Sequence, residues 1–262
     1  AIPKSKNLKL EKLYFNLAFE KARINLGRTG LNPSVGCVVV KNNCVISSGN
    51  TFKKGRPHAE FQALKKNKNF KDSDIYVTME PCTHYGVTPP CTNIIIKKGV
   101  KRVFYIFDDA NKITTGKAKN VLRSGGVNLF KKKIDKYSDF YKSYYNLHKS
   151  KIPFIDAKLA ISKDFYTINK SSKWITNTSS RKWVHLIRSN YDCIISTSKS
   201  INKDNSLLNC RLNGLSKSKP DLVIIDLHLK IKKDIDLFKL SNNRKIFIVT
   251  SVRKNKNKIF FE

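Results

Sequence analysis

The sequence lacks any apolar run of the roughly 20 residues that a membrane-spanning helix needs. Its N-terminal stretch is basic but has no apolar signal-peptide core, and its periodicity predicts an amphipathic helix over 9–26 instead. We also find no internal repeat. With 262 residues, 40% of them hydrophobic, the chain is long enough for two globular domains. We therefore expect no membrane partner.

Acidic residues are scarce: 19 Asp and Glu stand against 52 Lys and Arg, for a formal charge of +33. Such an excess is typical of nucleic-acid-binding proteins. The basic residues, however, are mostly lysines spread over the whole chain among many Asn, Ile, Phe and Tyr residues, as AT-rich codons would produce. We therefore interpret the charge as compositional and expect no nucleic-acid partner, although a phosphorylated substrate would benefit from the positive field.

No secretory signal accompanies the six cysteines. Disulfides are typical of secreted proteins, so this absence favours reduced cysteines with metal-binding or core roles. The sequence therefore predicts a cytoplasmic protein.

Strand and helix patterns alternate along the first half of the chain, which predicts an α/β sandwich with a mostly parallel sheet. The predicted elements are a helix at 9–26, strands at 35–41 and 44–50 joined by an Asn-Asn turn, a helix at 58–66, a strand at 74–81, a helix at 90–98, a strand at 101–109 and a helix at 116–126. An aromatic segment before Pro153 marks the predicted boundary between domains 1–148 and 149–262. The second domain is again α/β, with predicted strands at 154–162, 192–198, 221–226 and 245–250 and a helix at 178–189.

One histidine, one glutamate and two cysteines form the strongest chemical pattern. His58 and Glu60 stand two apart at the start of a predicted helix in "RPHAEFQAL", and Cys82 and Cys91 each follow a proline. One imidazole and two thiolates suit zinc, and three protein ligands leave a position for a water molecule, as in a catalytic site. Glu60 could then carry a proton from that water to departing ammonia. A helix-capping histidine with two core cysteines is the alternative interpretation.

The order H-A-E, then P-C and a second cysteine, resembles the signature of zinc nucleobase deaminases, here with eight residues between the cysteines. That long insertion, with "NPSVGCVV", "CTHYGVTPPC", "SKWIT" and "DNSLLNCRL", resembles the RibD family of bifunctional deaminase–reductases from Leu10 to Lys230. The resemblance implies a cytidine-deaminase-like three-layer sandwich followed by a partial dihydrofolate-reductase-like α/β domain. Because the family's later half has no counterpart before Glu262, we expect a truncated reductase domain.

The resemblance implies zinc-dependent deamination of 2,5-diamino-6-ribosylamino-4(3H)-pyrimidinone 5′-phosphate, then NADPH-dependent reduction of its ribosyl group if the reductase domain functions. We expect a homo-oligomer acting on this small phosphorylated pyrimidine. The implied metal ligands are His58, Cys82 and Cys91, with Glu60 catalytic. The residues implied to bind the deaminase substrate are Asn32, His84, Asp109 and Asn111. Those implied to bind NADPH are Ala160, Trp174, Ser200 and Asp204. Those implied to hold the reductase substrate are Ser172, Arg188, Leu208 and Arg211.

The sequence also departs from the family pattern. Val87 stands where the family usually has Lys or Arg, and Thr51 where it usually has His. Losing a basic group at position 87 would weaken binding of an anionic substrate, although the many lysines of the chain could substitute for it. Two alternative functions stay open: a tRNA or other nucleic-acid deaminase, and a non-catalytic binding protein with a decayed site. The first predicts a short P-C-x-x-C spacing, and the second gives no reason to keep Glu60.

Overall fold

The computed structural model describes residues 4–111, 115–167, 174–215, 220–240 and 244–252. The chain divides into two compact units, Ala1–Asp156 and Ala157–Glu262. The predicted boundary after residue 148 falls inside the last helix of the first unit, which continues through Ser150. Within the described ranges, no helix is both long and apolar enough to cross a bilayer.

The first unit is built around one five-stranded sheet. Its elements, in chain order, are α1 (Lys4–Arg23), β1 (Gly36–Lys41), β2 (Cys44–Asn50), α2 (Ala59–Leu64), β3 (Asp74–Met79), α3 (Cys91–Lys97), β4 (Arg102–Phe107), α4 (Ala118–Ser124), β5 (Asn128–Lys131) and α5 (Lys142–Ser150). The strand order is β2-β1-β3-β4-β5. Strands β3, β4 and β5 are parallel, whereas β1 is antiparallel to both of its neighbours.

The sheet is therefore mixed rather than mostly parallel as predicted. The reason is the tight turn between β1 and β2, where Asn42 and Asn43 both have positive φ, at 52° and 60°. Two such residues form the type of turn whose twist matches a hairpin, and asparagine tolerates this conformation well. The hairpin itself was predicted from these residues, and it is confirmed.

Helices cover both faces of the sheet, and glycines mark two close approaches between helix and strand. A Cβ on Gly36 would lie 1.8 Å from the carbonyl oxygen of Ala18 in α1. A Cβ on Gly49 would lie 2.3 Å from the carbonyl oxygen of Ala59 in α2. Gly49 pairs with Cys37, the neighbour of Gly36 along β1, so the two glycines point to opposite faces. The sheet thus lies between two helical layers, and the predicted three-layer sandwich is confirmed.

Gly36→Ala should destabilise the protein by about 1–3 kcal/mol or more, because the new methyl group meets backbone atoms of α1 that cannot move independently. Urea unfolding of the wild type and of Gly36→Ala measures the change in the free energy of unfolding. Gly86→Ala is the matched control, since the atom nearest to its Cβ would belong to a side chain, Nη2 of Arg56 at 3.4 Å, and not to the backbone. Equal unfolding midpoints for Gly36→Ala and the wild type would contradict this close packing.

An aromatic segment after β5 closes one side of the first unit. The Tyr137 ring stacks on Phe19 of α1 with their centroids 3.7 Å apart. The buried Tyr141 hydroxyl donates to the carbonyl of Ser34 at 2.9 Å and shares a hydrogen bond with Thr78 of β3 at 2.6 Å. These contacts hold the last helix of this unit near the carboxyl end of the central strands.

The second unit contains a three-stranded parallel sheet in the order β6-β7-β8. Its elements are α6 (Thr178–Arg188), β6 (Cys193–Thr197), α7 (Ser198–Asp204), β7 (Asp221–Ile225), α8 (Asp236–Leu240) and β8 (Ile246–Val249). The α/β character predicted for this domain is confirmed. The strand predicted at 154–162 is wrong, since these residues form no ladder and Ile155 and Leu159 are 70% and 74% exposed.

A buried carboxylate organises the loop after β7. Asp226 accepts hydrogen bonds from the Lys230 and Ile231 amides at 2.9 and 2.8 Å and from the Ser198 hydroxyl at 2.8 Å. Burial alone would raise the pKa of Asp226, but these donors outweigh it and lower that pKa below its usual value. The loop is therefore held by a charged group.

Candidate metal centre

The predicted metal ligands lie where the central strands end. Strand β3 ends at Met79, and Cys82 follows three residues later. Cys91 is the first residue of α3, whose Thr92 donates through both its amide and its hydroxyl to the Cys82 carbonyl, each at 3.3 Å. His58 directly precedes α2, which packs against α3. Two helix starts and one strand end therefore converge on one point.

The three ligand atoms fit a single metal ion. The Nδ1 atom of His58 lies 3.6 Å from the Cys82 sulfur and 3.3 Å from the Cys91 sulfur, and all three atoms lie within 4.8 Å of one another. Tetrahedral zinc with ordinary bond lengths would place such atoms about 3.5–3.8 Å apart. The donor set and its spacing therefore fit zinc, and the site has the three protein ligands of a catalytic centre.

The electrostatics of the two sulfurs also favour a cation between them. Hydrogen bonds from Cys91 and His58 lower the pKa of Cys82 to about 4, although burial opposes this. The amide of Cys91, at the start of α3, also donates to the Cys82 sulfur at 3.3 Å. The pKa of Cys91, in contrast, is raised by the hydrogen bond between its side chain and Cys82 and by burial. A second thiolate beside the first is costly unless a metal ion offsets the repulsion.

Glu60 is buried in the first turn of α2, with 4% of its surface exposed. Burial raises the pKa of Glu60 to about 7, and the negative charge of Cys82 adds to this rise. A hydrogen bond with Cys91, one of the predicted ligands, partly offsets this rise in the pKa of Glu60. A carboxyl group near its pKa at neutral pH can both accept and release a proton.

Two residues implied to bind the substrate lie on loops next to the ligand helices. The Asn32 side chain lies against Gly55, where an added Cβ would be 2.2 Å from its Nδ2 atom. Only Arg56 and Pro57 separate this glycine from His58. His84 is half-buried on the loop between Cys82 and Cys91. Asn32 and His84 therefore flank the segments that carry the metal ligands.

The other two, Asp109 and Asn111, follow β4 at the same edge of the sheet as Cys82. The Asp109 carboxylate accepts from the Asn111 amide at 3.0 Å and from the Tyr144 hydroxyl at 2.7 Å. Tyr144 was not predicted, because only the folded chain brings helix α5 to this loop. Glu80 was also missed: its carboxylate accepts from the amides of Gly116 and Ala118, at 3.0 and 3.2 Å. Both residues fix the loops around the candidate site.

Three of the residues implied to hold the reductase substrate lie in or next to the loop at 207–211. Arg188 is half-buried in α6 and donates to the Asn209 carbonyl at 3.3 Å, while Arg211 donates to the Asn209 side chain at 3.0 Å. Leu208 lies between them in sequence, with φ of 48°. Burial and the charge of Arg211 lower the pKa of Arg188. This concentration of positive charge can bind an anion.

Arg244 belongs to the same cluster but was not predicted. Its guanidinium donates to the carbonyls of Leu207 and Leu208, at 2.6 and 3.1 Å. Burial lowers the pKa of Arg244, and Arg188 lowers it further. Only tertiary contacts reveal this residue, since it lies far along the chain from the other members.

The residues implied to bind NADPH remain predictions. Ala160 is half-buried in the segment that was wrongly predicted as a strand. The Trp174 ring is 54% exposed, with the Arg181 guanidinium 4.5 Å from its centroid. Ser200 and Asp204 are exposed on α7. Ser172 lies outside the described residues.

Comparisons with known proteins divide the chain in the same order as the two units. The profile of the cytidine and deoxycytidylate deaminase zinc-binding region matches residues 9–107, and that of the RibD C-terminal domain matches residues 153–260. The riboflavin biosynthesis protein RibD of Bacillus amyloliquefaciens is 34% identical over 226 residues, which are 85% of this chain and 61% of that protein. RibD of Aquifex aeolicus is also 34% identical, over 85% of this chain and 63% of its own length. The chain thus spans about three-fifths of the length of these relatives.

Solved structures of RibD proteins also match this chain over most of its length. The Thermotoga maritima diaminohydroxyphosphoribosylaminopyrimidine deaminase/5-amino-6-(5-phosphoribosylamino)uracil reductase matches with a TM-score of 0.83 and 30% identity, over 94% of this chain and 71% of that one. Acinetobacter baumannii RibD matches with a TM-score of 0.80 and 28% identity, over the same shares. The architecture and the matched regions thus agree along both units, and the chain belongs to the RibD family.

Proposed function

We propose that the first unit is a zinc-dependent deaminase of riboflavin biosynthesis acting on the 5′-phosphate of a diaminopyrimidine riboside. The observation that carries this proposal is the convergence of His58, Cys82 and Cys91 on one point, with buried Glu60 beside them. The name of the Thermotoga relative, a diaminohydroxyphosphoribosylaminopyrimidine deaminase, supports the substrate class. Because free thiolates require a reducing environment, the proposal includes a cytoplasmic location. It also includes the homo-oligomeric state that the family resemblance implies.

The reaction replaces a ring amino group with oxygen from water and releases ammonia. When bound, zinc supplies Lewis-acid activation of that water. Glu60 would carry one proton of the water to the ring nitrogen next to the reacting carbon and the second to the departing amine, so that the water oxygen stays on the ring as a carbonyl and ammonia leaves. Asn32, His84, Asp109 and Asn111 orient the pyrimidine and its ribosyl group from the surrounding loops.

We propose a second activity for the second unit, the NADPH-dependent reduction of the ribosyl group of the deaminated product. The match to the RibD C-terminal domain over residues 153–260 supports it. So does the cation cluster of Arg188, Arg211 and Arg244, which suits a phosphorylated substrate because guanidinium groups bind phosphate through two hydrogen bonds. Ala160, Trp174, Ser200 and Asp204 would contact NADPH, and Ser172 and Leu208 the substrate.

Both activities can be measured on one purified sample. With the diaminopyrimidine riboside 5′-phosphate as substrate, we expect ammonia release that a zinc chelator abolishes and added zinc restores. NADPH oxidation after deamination reports the second activity separately. Metal analysis should find about one zinc per chain. Ammonia release that a chelator does not affect, or its complete absence from zinc-loaded protein, would contradict the deaminase proposal.

A further inference from the structure

The Arg56 guanidinium lies beside the candidate metal centre. Its Nη1 atom is 3.5 Å from Nε2 of His58 and donates to the Thr88 hydroxyl at 2.6 Å. Across the described ranges, Arg56 is in no ion pair. A guanidinium has five N–H donors, so this half-buried cation keeps donors and charge for a ligand.

The other end of the guanidinium faces the loop between the two cysteines. The position that a Cβ on Gly86 would take is 3.4 Å from Nη2 of Arg56 and 3.9 Å from Nε2 of His84. Arg56 and His84 therefore flank the same turn, which extends to Thr88. Next to Gly86, Val87 is 86% exposed and uncharged. The positive charge at this turn is thus contributed from a different segment of the chain.

We propose that Arg56 binds the 5′-phosphate of the deaminase substrate and so replaces, in space, the basic residue that the RibD family usually has at position 87. The inference rests on the proposed function, because it assumes a phosphorylated substrate. The planar guanidinium matches two phosphate oxygens. The hydrogen bond to Thr88 already fixes its orientation, so little side-chain freedom is lost when the ligand binds.

The test compares two substrates, the phosphorylated diaminopyrimidine riboside and the same compound without phosphate. In Arg56→Met, the KM for the phosphorylated compound should rise about 10- to 100-fold, because charge-assisted hydrogen bonds are lost. Its kcat should stay within about threefold of the wild type. The KM for the phosphate-free compound should not change. Adding Val87→Lys to Arg56→Met should restore part of the lost affinity.

Lys53→Met is the matched control, since Lys53 is an exposed cation three residues before Arg56; it should leave both KM values unchanged. Calorimetry of the binding of both compounds and determination of the zinc content complete the measurements.

An equal loss of kcat for both substrates, or a loss of zinc, would show that Arg56 only holds the turn through Thr88 and would overturn the proposal. Equal affinity of the wild type for the two compounds would overturn it while leaving the deaminase function intact. If the protein bound the phosphorylated compound tightly, bound the phosphate-free compound weakly and turned over neither, the proposed deaminase function would be contradicted. The role of Arg56 in phosphate binding would then still stand.

Discussion

Glu60→Gln should lower the deaminase kcat by about 100- to 10,000-fold while zinc stays bound. Glutamine has nearly the same shape as glutamate, so the buried site beside Cys91 should keep its packing. Its amide cannot accept a proton from water and return it to the leaving amine. Initial rates of ammonia release, with metal content determined on the same preparations, measure both parts of this prediction.

Glu20→Gln is the matched control, because Glu20 is exposed on α1 and forms an ion pair with Arg23, three residues further along the helix, at 3.3 Å. Its kcat should equal that of the wild type. Two results would count against the proton-shuttle role: a Glu60→Gln enzyme with near-normal kcat, or one whose activity falls only in proportion to lost zinc. Inactivity of the zinc-loaded wild type would instead favour a non-catalytic binding protein.

Cys91→Ser should abolish both zinc binding and deaminase activity. A serine hydroxyl does not ionise near neutral pH, and the site would keep only two strong ligands, so zinc content should fall from about one to under about 0.1 per chain. Atomic absorption after extensive dialysis measures the metal, and circular dichroism checks the fold.

Cys44→Ser provides the comparison for this substitution, since Cys44 is an exposed cysteine at the start of β2. It should keep full zinc content and activity. Undiminished zinc binding by Cys91→Ser, with normal structure, would mean that the ion uses a different set of ligands, and the proposed centre would then have to be abandoned.

Local sequence signals predicted the parts of the fold that depend on few residues. The Asn42-Asn43 turn fixes a hairpin by backbone preference alone, and the helix predicted to begin at His58 does so within one residue. The candidate set of metal ligands could be proposed from the sequence because few residue types bind zinc and their spacing is characteristic. These features need no knowledge of distant contacts.

Features that depend on distant contacts were not predictable in the same way. The segment at 154–162 has an apolar pattern suited to a strand, but a strand also needs a hydrogen-bonding neighbour, which the pattern cannot reveal. Tyr144 and Arg244 reach their partners only through tertiary folding. The position of Arg56, two residues before His58, was visible in the sequence, but its contact with Thr88 was not.

The close approach at Gly49 should make this position sensitive to mutation, although Gly49 is not among the residues proposed to bind zinc or substrate. The missing side chain at this position lets the backbone of α2 rest on β2, and Ser47 secures the contact by donating to the Ala63 carbonyl at 2.6 Å. In a saturation mutagenesis screen for the proposed deaminase activity, position 49 should tolerate replacement as poorly as the positions of the proposed metal ligands.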